Sequence, residues 1–141
     1  SALMDSIEWI DAAYSGHDAE AILTRLASSD VPAASKAGAT IAAKSPTAVT
    51  TTLAALRRAA RFESLEEALN QDFRVSVRAL RWTDFAEGIR AQLVDKDRNP
   101  QWKPASLADV STDVVEAAFA PLGADELGLE ATRNDGLVAG Q

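Results

Sequence analysis

Apolar residues recur along most of this chain at spacings of three and four, the period of a helix with one buried stripe. Residues 5–14 place Ile7, Ile10 and Tyr14 on one face, with Asp5, Glu8 and Asp11 elsewhere, and Ser15-Gly16 closes that helix. Asp18 and Glu20 open a second one, whose face is Ile22, Leu23 and Leu26. Ser28 to Pro32 reads as a turn. Residues 32–44 are mostly alanine, so they favour helix and allow a close helix approach while burying little area. Ser45-Pro46 starts the next helix, serine as cap and proline in the first turn, and Val49, Leu53, Leu56 and Ala60 form its stripe. Arg57, Arg58 and Arg61 crowd its last turn, where cations suit the negative end of the helix dipole.

The pattern is clearest after Ser64, which stands three residues before Glu67 in the spacing of a capping box. Leu65, Leu69, Phe73, Val77 and Leu80 then share one face of a helix predicted to run to about Trp82 and to be the central packing element. Thr83 or Asp84 caps a further helix with Phe85, Ile89 and Leu93 as its buried face, Phe85 reading as core. Asn99-Pro100 and Lys103-Pro104 stop it in a stiff loop. Trp102, between those prolines, is expected to plug the helical core in preference to walling a ligand site. Ser111 to Leu122 supports one more helix, with Val115 and Phe119 inward, and the pattern fades after Gly123. No run alternates with period two for long enough to demand a strand. The predicted fold class is all-α with about six or seven helices, residues 1–126 forming one domain and 127–141 a loose tail.

A chain of 141 residues can bury roughly two-thirds of its unfolded surface in one core. The net charge of −7 argues against general nucleic-acid binding. The absence of cysteine excludes disulfides, thiol nucleophiles and cysteine-ligated metals. No stretch is apolar for long enough to span a membrane and no signal peptide stands out, so the expected setting is cytoplasmic. Met4, the one methionine, leaves two readings: a piece of a longer protein, or a short native chain that starts there.

Candidate chemistry is sparse. His17 is the only histidine, beside Gly16 and Asp18 in a predicted surface loop with no partner placed for it. No GxSxG elbow, GxGxxG, Walker sequence or EF-hand spacing occurs, so no catalytic residue and no metal ligand is assigned. Ten of the fourteen Lys and Arg lie between Arg57 and Lys103 with eight acids, giving about +2 there against −9 elsewhere. A mildly basic middle suits a polyphosphate ligand; solvated faces with local ion pairs are the favoured reading. Glu87 and Arg90 are spaced for an ion pair within one helical turn.

Three stretches together resemble the 3-hydroxyisobutyryl-CoA hydrolase branch of the enoyl-CoA hydratase/isomerase (crotonase) superfamily. They are Lys44-Ser45-Pro46-Thr47 into Leu53-Ala54-Ala55-Leu56; Ser64-Leu65-Glu66-Glu67-Ala68-Leu69 through Asp72-Phe73-Arg74 to Arg78; and Asp84 to Pro104, in the pattern DFxEGxRAxLxDKDxxPxWxP. The likeness runs from about residue 5 to residue 122 and is confined to the family's helical C-terminal region. It implies a parent enzyme that hydrolyses a short branched 3-hydroxyacyl-CoA thioester in valine breakdown. In that family an N-terminal β/α spiral core supplies the oxyanion hole and the acidic groups, and donors so placed stabilise the charge that thioester hydrolysis builds. Nothing in this chain corresponds to that core.

The resemblance therefore implies a C-terminal packing and self-association fragment, inactive alone, whose partners are the N-terminal core and other copies. It implies no covalently bound cofactor, with a coenzyme A thioester as the parent's substrate. Lys96 matches the lysine that lies near CoA phosphates in related hydratases, although the connection before it is one residue longer here. A free-standing helical interaction module, and a fragment of a hydratase or isomerase, are the alternatives. If the core is missing, the face that meets it is expected to be exposed and apolar, driving self-association or rearrangement of the helices.

Overall fold

A computed structural model describes residues 3–130, which form seven α-helices and no strand. They are α1 (Ile7–Ala13), α2 (Ala19–Ala27), α3 (Pro32–Ala42), α4 (Pro46–Ala59), α5 (Leu65–Ala79), α6 (Thr83–Ile89) and α7 (Thr112–Phe119). One turn of π-helix, Arg90–Val94, continues α6, and short 3-10 turns precede α1 and flank α7.

The starts of α2, α4 and α5 are where the sequence puts them, because short polar side chains take up otherwise unpaired backbone N–H groups. Asp18 accepts from the N–H of Glu20 at 2.9 Å, and Ser45 from that of Ala48 at 3.2 Å. The capping box is complete: Glu67 N–H donates to the Ser64 hydroxyl at 3.3 Å, and Ser64 N–H to the Glu67 carboxylate at 3.1 Å.

The core centres on α1 to α4. Ala13, Ile22, Leu26 and Ala34 are buried, with Trp9, Tyr14, Leu23, Ile41 and Leu53 packed around them. The alanine-rich α3 lies so close to α2 that a Cβ on Gly38 would sit 2.9 Å from Leu26 Cβ. The carbonyls left open after α1 are closed by two arginines from other helices. Arg25 donates to Ala13 O at 3.0 Å; Arg57 donates to Gly16 O at 2.8 Å and also to Tyr14 O.

The second layer, α5 and α7 on α4, departs from expectation. Helix α5 is not the central packing element: its one buried residue is Gln71, and Leu65, Leu69 and Leu80 are exposed. It is held by polar ties instead. Gln71 donates to Ala55 O at 3.1 Å, Arg74 pairs with Glu126 at 2.8 Å, and Arg78 donates to Pro121 O at 3.3 Å. A periodic stripe identifies an amphipathic helix, but it does not say which neighbour covers the stripe. The segment after α7 is tied to α5 as far as Leu129, whose N–H and C=O both bond the Asn70 side-chain amide at 2.9 and 2.8 Å. Residues 131–141, the rest of the expected tail, lie outside the described residues.

Candidate functional site

Four of the seven buried apolar residues among those described are alanine, so most of the large apolar side chains lie nearer the surface. Many converge on one open groove of about 850 Å³. Helix α4 forms its floor through Ala48, Val49 and Leu53, and α6 forms one wall through Phe85 and Ile89, continued by Leu93. Trp82 and Trp102 also line it. Phe85, Ile89 and Leu93 are thus not a buried face, as the periodicity suggested: they are 46%, 39% and 68% exposed. Their spacing aligns them correctly, but no element of the described chain lies over them. An apolar face is thus exposed among the described residues.

The π-turn and the loop after it rest on Arg90. Its guanidinium donates to both oxygens of Glu87, at 2.8 and 2.7 Å, to Asp95 at 2.7 Å and to Asp97 at 2.6 Å. The Glu87–Arg90 pair is the one read from the spacing; the two aspartates add a reach across the turn that helical periodicity does not encode. Glu87 also accepts Gln101 N–H at 2.7 Å. The Arg90 hydrogen bonds, with that of Gln101, lower the Glu87 pKa to about 2, and Arg90 hydrogen bonding likewise lowers that of Asp97. The guanidinium is held still more firmly protonated than usual by the same carboxylates, Glu87 first.

With Asp95 and Asp97 drawn to Arg90, the residues between and after them take unusual backbone. Lys96 and Arg98 have φ of 56° and 54°, the left-handed region that non-glycine residues seldom occupy. Both side chains are exposed and neither makes an ion pair or hydrogen bond. Lys96 therefore stands as a free ammonium at the tip of a fixed loop.

Asp84 is a residue whose role the sequence reading missed. It does not cap α6; Trp82 holds that position, and Asp84 turns inward with 6% exposure. One carboxylate oxygen accepts from the Ser45 hydroxyl at 2.5 Å and the other from Lys103 N–H at 2.8 Å. It joins the start of α4 to the far end of the loop. Trp102, beside Lys103, is half-buried and forms a wall of the groove, not a plug in the core. Its ring lies over Gly88, where an added Cβ would be 3.5 Å away, and its indole N–H donates to Ala43 O at 3.1 Å. The signal in the sequence was the close succession of Asp84, Glu87 and Arg90 before a long charged loop.

His17 is exposed, as expected of a surface loop. No group of three or more acidic or histidine side chains among the described residues is placed to hold a metal, and no helix there is long and apolar enough to cross a membrane.

Comparison with known proteins agrees with the resemblance. Residues 1–119 match the family described as enoyl-CoA hydratase/isomerase. The mitochondrial 3-hydroxyisobutyryl-CoA hydrolase of Gallus gallus is 39% identical over 127 residues, 90% of this chain and 33% of that protein. Two solved structures superpose with a TM-score of 0.83. One, titled a carnitinyl-CoA dehydratase from Mycobacterium thermoresistibile, is 46% identical and matches 91% of this chain and 36% of its own. The other, titled an enoyl-CoA hydratase from Rhodobacter sphaeroides 2.4.1, is 34% identical and matches 92% and 38%. The chain thus spans about a third of the length of the curated relatives it matches. Those relatives are mitochondrial, which overturns the expectation of a cytoplasmic setting; that expectation rested only on the lack of a recognisable targeting segment. A family match over most of the chain, the shared helical arrangement and the DFxEG to PxWxP stretch agree: this chain belongs to the enoyl-CoA hydratase/isomerase family.

Proposed function

We propose that this chain is the C-terminal helical region of an acyl-CoA enzyme of the 3-hydroxyisobutyryl-CoA hydrolase branch, and that its groove is the seat of the family's N-terminal β/α core. The observation that carries the proposal is the groove itself: a wide apolar surface in a chain with only a third of its relatives' length. Exposed apolar area of this kind is a contact surface awaiting its partner. In this reading the chain binds and positions, and turnover belongs to the core seated on it. When the core is absent, the same surface drives copies of the chain together.

In the assembled enzyme, Lys96 is the residue of this region directed at a CoA phosphate. Its supports are an unpaired ammonium, an exposed position and a loop fixed by Arg90. The π-turn adds one residue to the helix end without breaking it, which suits the longer connection before Lys96.

The test is turnover of 3-hydroxyisobutyryl-CoA by the isolated chain and by the chain joined to a family core. Activity only in the joined protein supports the assignment; robust hydrolysis by the isolated chain refutes it. A second reading, a hydratase or dehydratase parent, is favoured by the 46% identity to the structure titled a carnitinyl-CoA dehydratase. The joined protein decides between them by its product: free acid and thiol for a hydrolase, an interconverted CoA thioester for a hydratase.

A further inference from the structure

A second pocket, of about 310 Å³, lies between the C-terminal half of α4, the α1–α2 loop and the start of α7. Its charge is all of one sign. Arg57, Arg58, Arg61 and His17 line it, with Thr112 and Val110 among the remaining residues, and no aspartate or glutamate does. In a chain of net charge −7, that segregation is not an average of the surface.

The three arginines differ in how they are held. Arg57 is fixed by its bonds to the carbonyls of Tyr14 and Gly16, and Arg58 lies over the Phe119 ring at 4.4 Å. Neither contact neutralises charge; Arg57 keeps one guanidinium nitrogen unbonded, and the exposed Arg58 lines both this pocket and the neighbouring one that holds Phe119. Arg61 and His17 make no side-chain hydrogen bond or ion pair. Arg61 closes the end of α4 through its backbone, its N–H donating to Arg58 O at 3.0 Å, while its guanidinium bonds none of the last carbonyls. Like charges brought together without counterions repel one another, and a multivalent anion relieves the repulsion.

We propose that this pocket binds the phosphate group of a small phosphorylated ligand. Two guanidiniums immobilised by other contacts lose little freedom on binding, and their planar edges suit phosphate oxygens. Arg61, His17 and the Thr112 hydroxyl, at the first turn of α7, add donors around it. The volume is at the lower end for small-molecule sites and suits a diphosphate or a phosphate monoester. The site adjoins the groove, with Leu53 lining both, but does not rest on the groove's assignment. At about 100° per residue, Arg57, Arg58 and Arg61 lie on a different side of α4 from Val49, Thr52 and Leu56, which line the groove.

The experiment is a titration of the isotope-labelled 141-residue chain with inorganic pyrophosphate, followed by amide shifts. Saturable shifts clustered at residues 16–18, 57–61 and 110–113 are expected. Arg61→Glu should weaken binding at least about tenfold, since it removes a charge-assisted contact and adds repulsion. Arg81→Glu reverses an unpaired cation outside the pocket and should change affinity less than about twofold. Melting temperatures of both variants confirm the fold. Absence of saturable binding overturns the proposal, as do equal losses in the two variants or shifts centred on Lys96. Coenzyme A and its 3′-dephospho form separate the sources of the phosphate. Tighter binding of coenzyme A at the same residues identifies its 3′-phosphate, and no gain over pyrophosphate identifies a free phosphorylated metabolite.

Discussion

Replacing Asp84 tests how the groove and the loop are held together. In Asp84→Ala, the Ser45 hydroxyl and Lys103 N–H lose the acceptors now at 2.5 and 2.8 Å. Hydrogen bonds to a charged group contribute about 1.5–3 kcal/mol each, so the gross loss is about 3–6 kcal/mol. Two effects reduce it. Removing the carboxylate also removes the cost of keeping a charge out of water, and Lys103, which is exposed, can pair its N–H with solvent. The expected net loss is about 2–3 kcal/mol, most of it from Ser45, which is buried and has no alternative acceptor in this arrangement. Asp84→Asn keeps an oxygen for Lys103 N–H and can donate its amide to the Ser45 oxygen, so it should cost about 1 kcal/mol. Urea unfolding of the two variants gives this order, and Trp102 fluorescence reports whether the loop leaves α6. A double-mutant cycle with Ser45→Ala should show a coupling of about 1–2 kcal/mol. Equal effects of Ala and Asn, or strict additivity with Ser45→Ala, would refute the view that a shared hydrogen bond ties α4 to the loop.

Other consequences are as direct. Gly38→Ala gains up to about 1 kcal/mol of helix propensity but puts a methyl group 2.9 Å from Leu26 Cβ, a backbone-anchored atom; melting should fall by a few degrees, for a net loss of about 1–2 kcal/mol, and a rise would mean the helices part freely. Arg90→Lys should free the loop almost as much as Arg90→Gln, since an ammonium cannot bridge Glu87, Asp95 and Asp97 together; limited proteolysis between residues 95 and 101 reads this, and protection equal to the parent's would count against it. On acidification, Glu87 is held below its unfolded value of about 4.3, so its stabilisation is complete above that pH and is lost as pH falls toward about 2. Glu67, Asp97 and Glu126 shift the same way, so the urea midpoint should hold from pH 7 to about 5 and drop between about 4 and 2; a flat profile there would contradict the pairing. Phe85→Lys should alter the stability of the isolated chain by less than about 0.5 kcal/mol yet prevent docking of the family core, as pull-down with that core would show.

The parts legible in the sequence were those governed by near neighbours. Ser45-Pro46, the Ser64–Glu67 capping box and the small residues that let α3 approach α2 each depend on a short stretch, and each is where the sequence indicates. The Glu87–Arg90 pair was legible for the same reason. Burial was not. Leu65, Leu69, Phe85 and Leu93 have the period of buried residues but remain exposed, because period reports only that one face differs from the other. Asp84 was hidden by a competing local reading. An aspartate three residues before a glutamate looks like a helix cap, and its true partners, Ser45 and Lys103, are 39 and 19 positions away.

Those two failures have one physical origin, and together they say what the region is built to do. A stripe that is apolar but uncovered, next to a loop fixed by a buried carboxylate and an arginine with three acidic partners, is costly for an isolated chain. The apolar area gains nothing while it faces water, and the left-handed backbone at Lys96 and Arg98 stores strain. In the proposed assembly, a family core lying in the groove removes the first of these costs. The groove side chains are then dry, and the loop presents its free cations at a set position beside the new interface. Polar ties hold the loop in that position before the partner arrives, so docking need not order it. This division, with rigid polar contacts behind and an open apolar face in front, is what the proposed docking of a family core calls for.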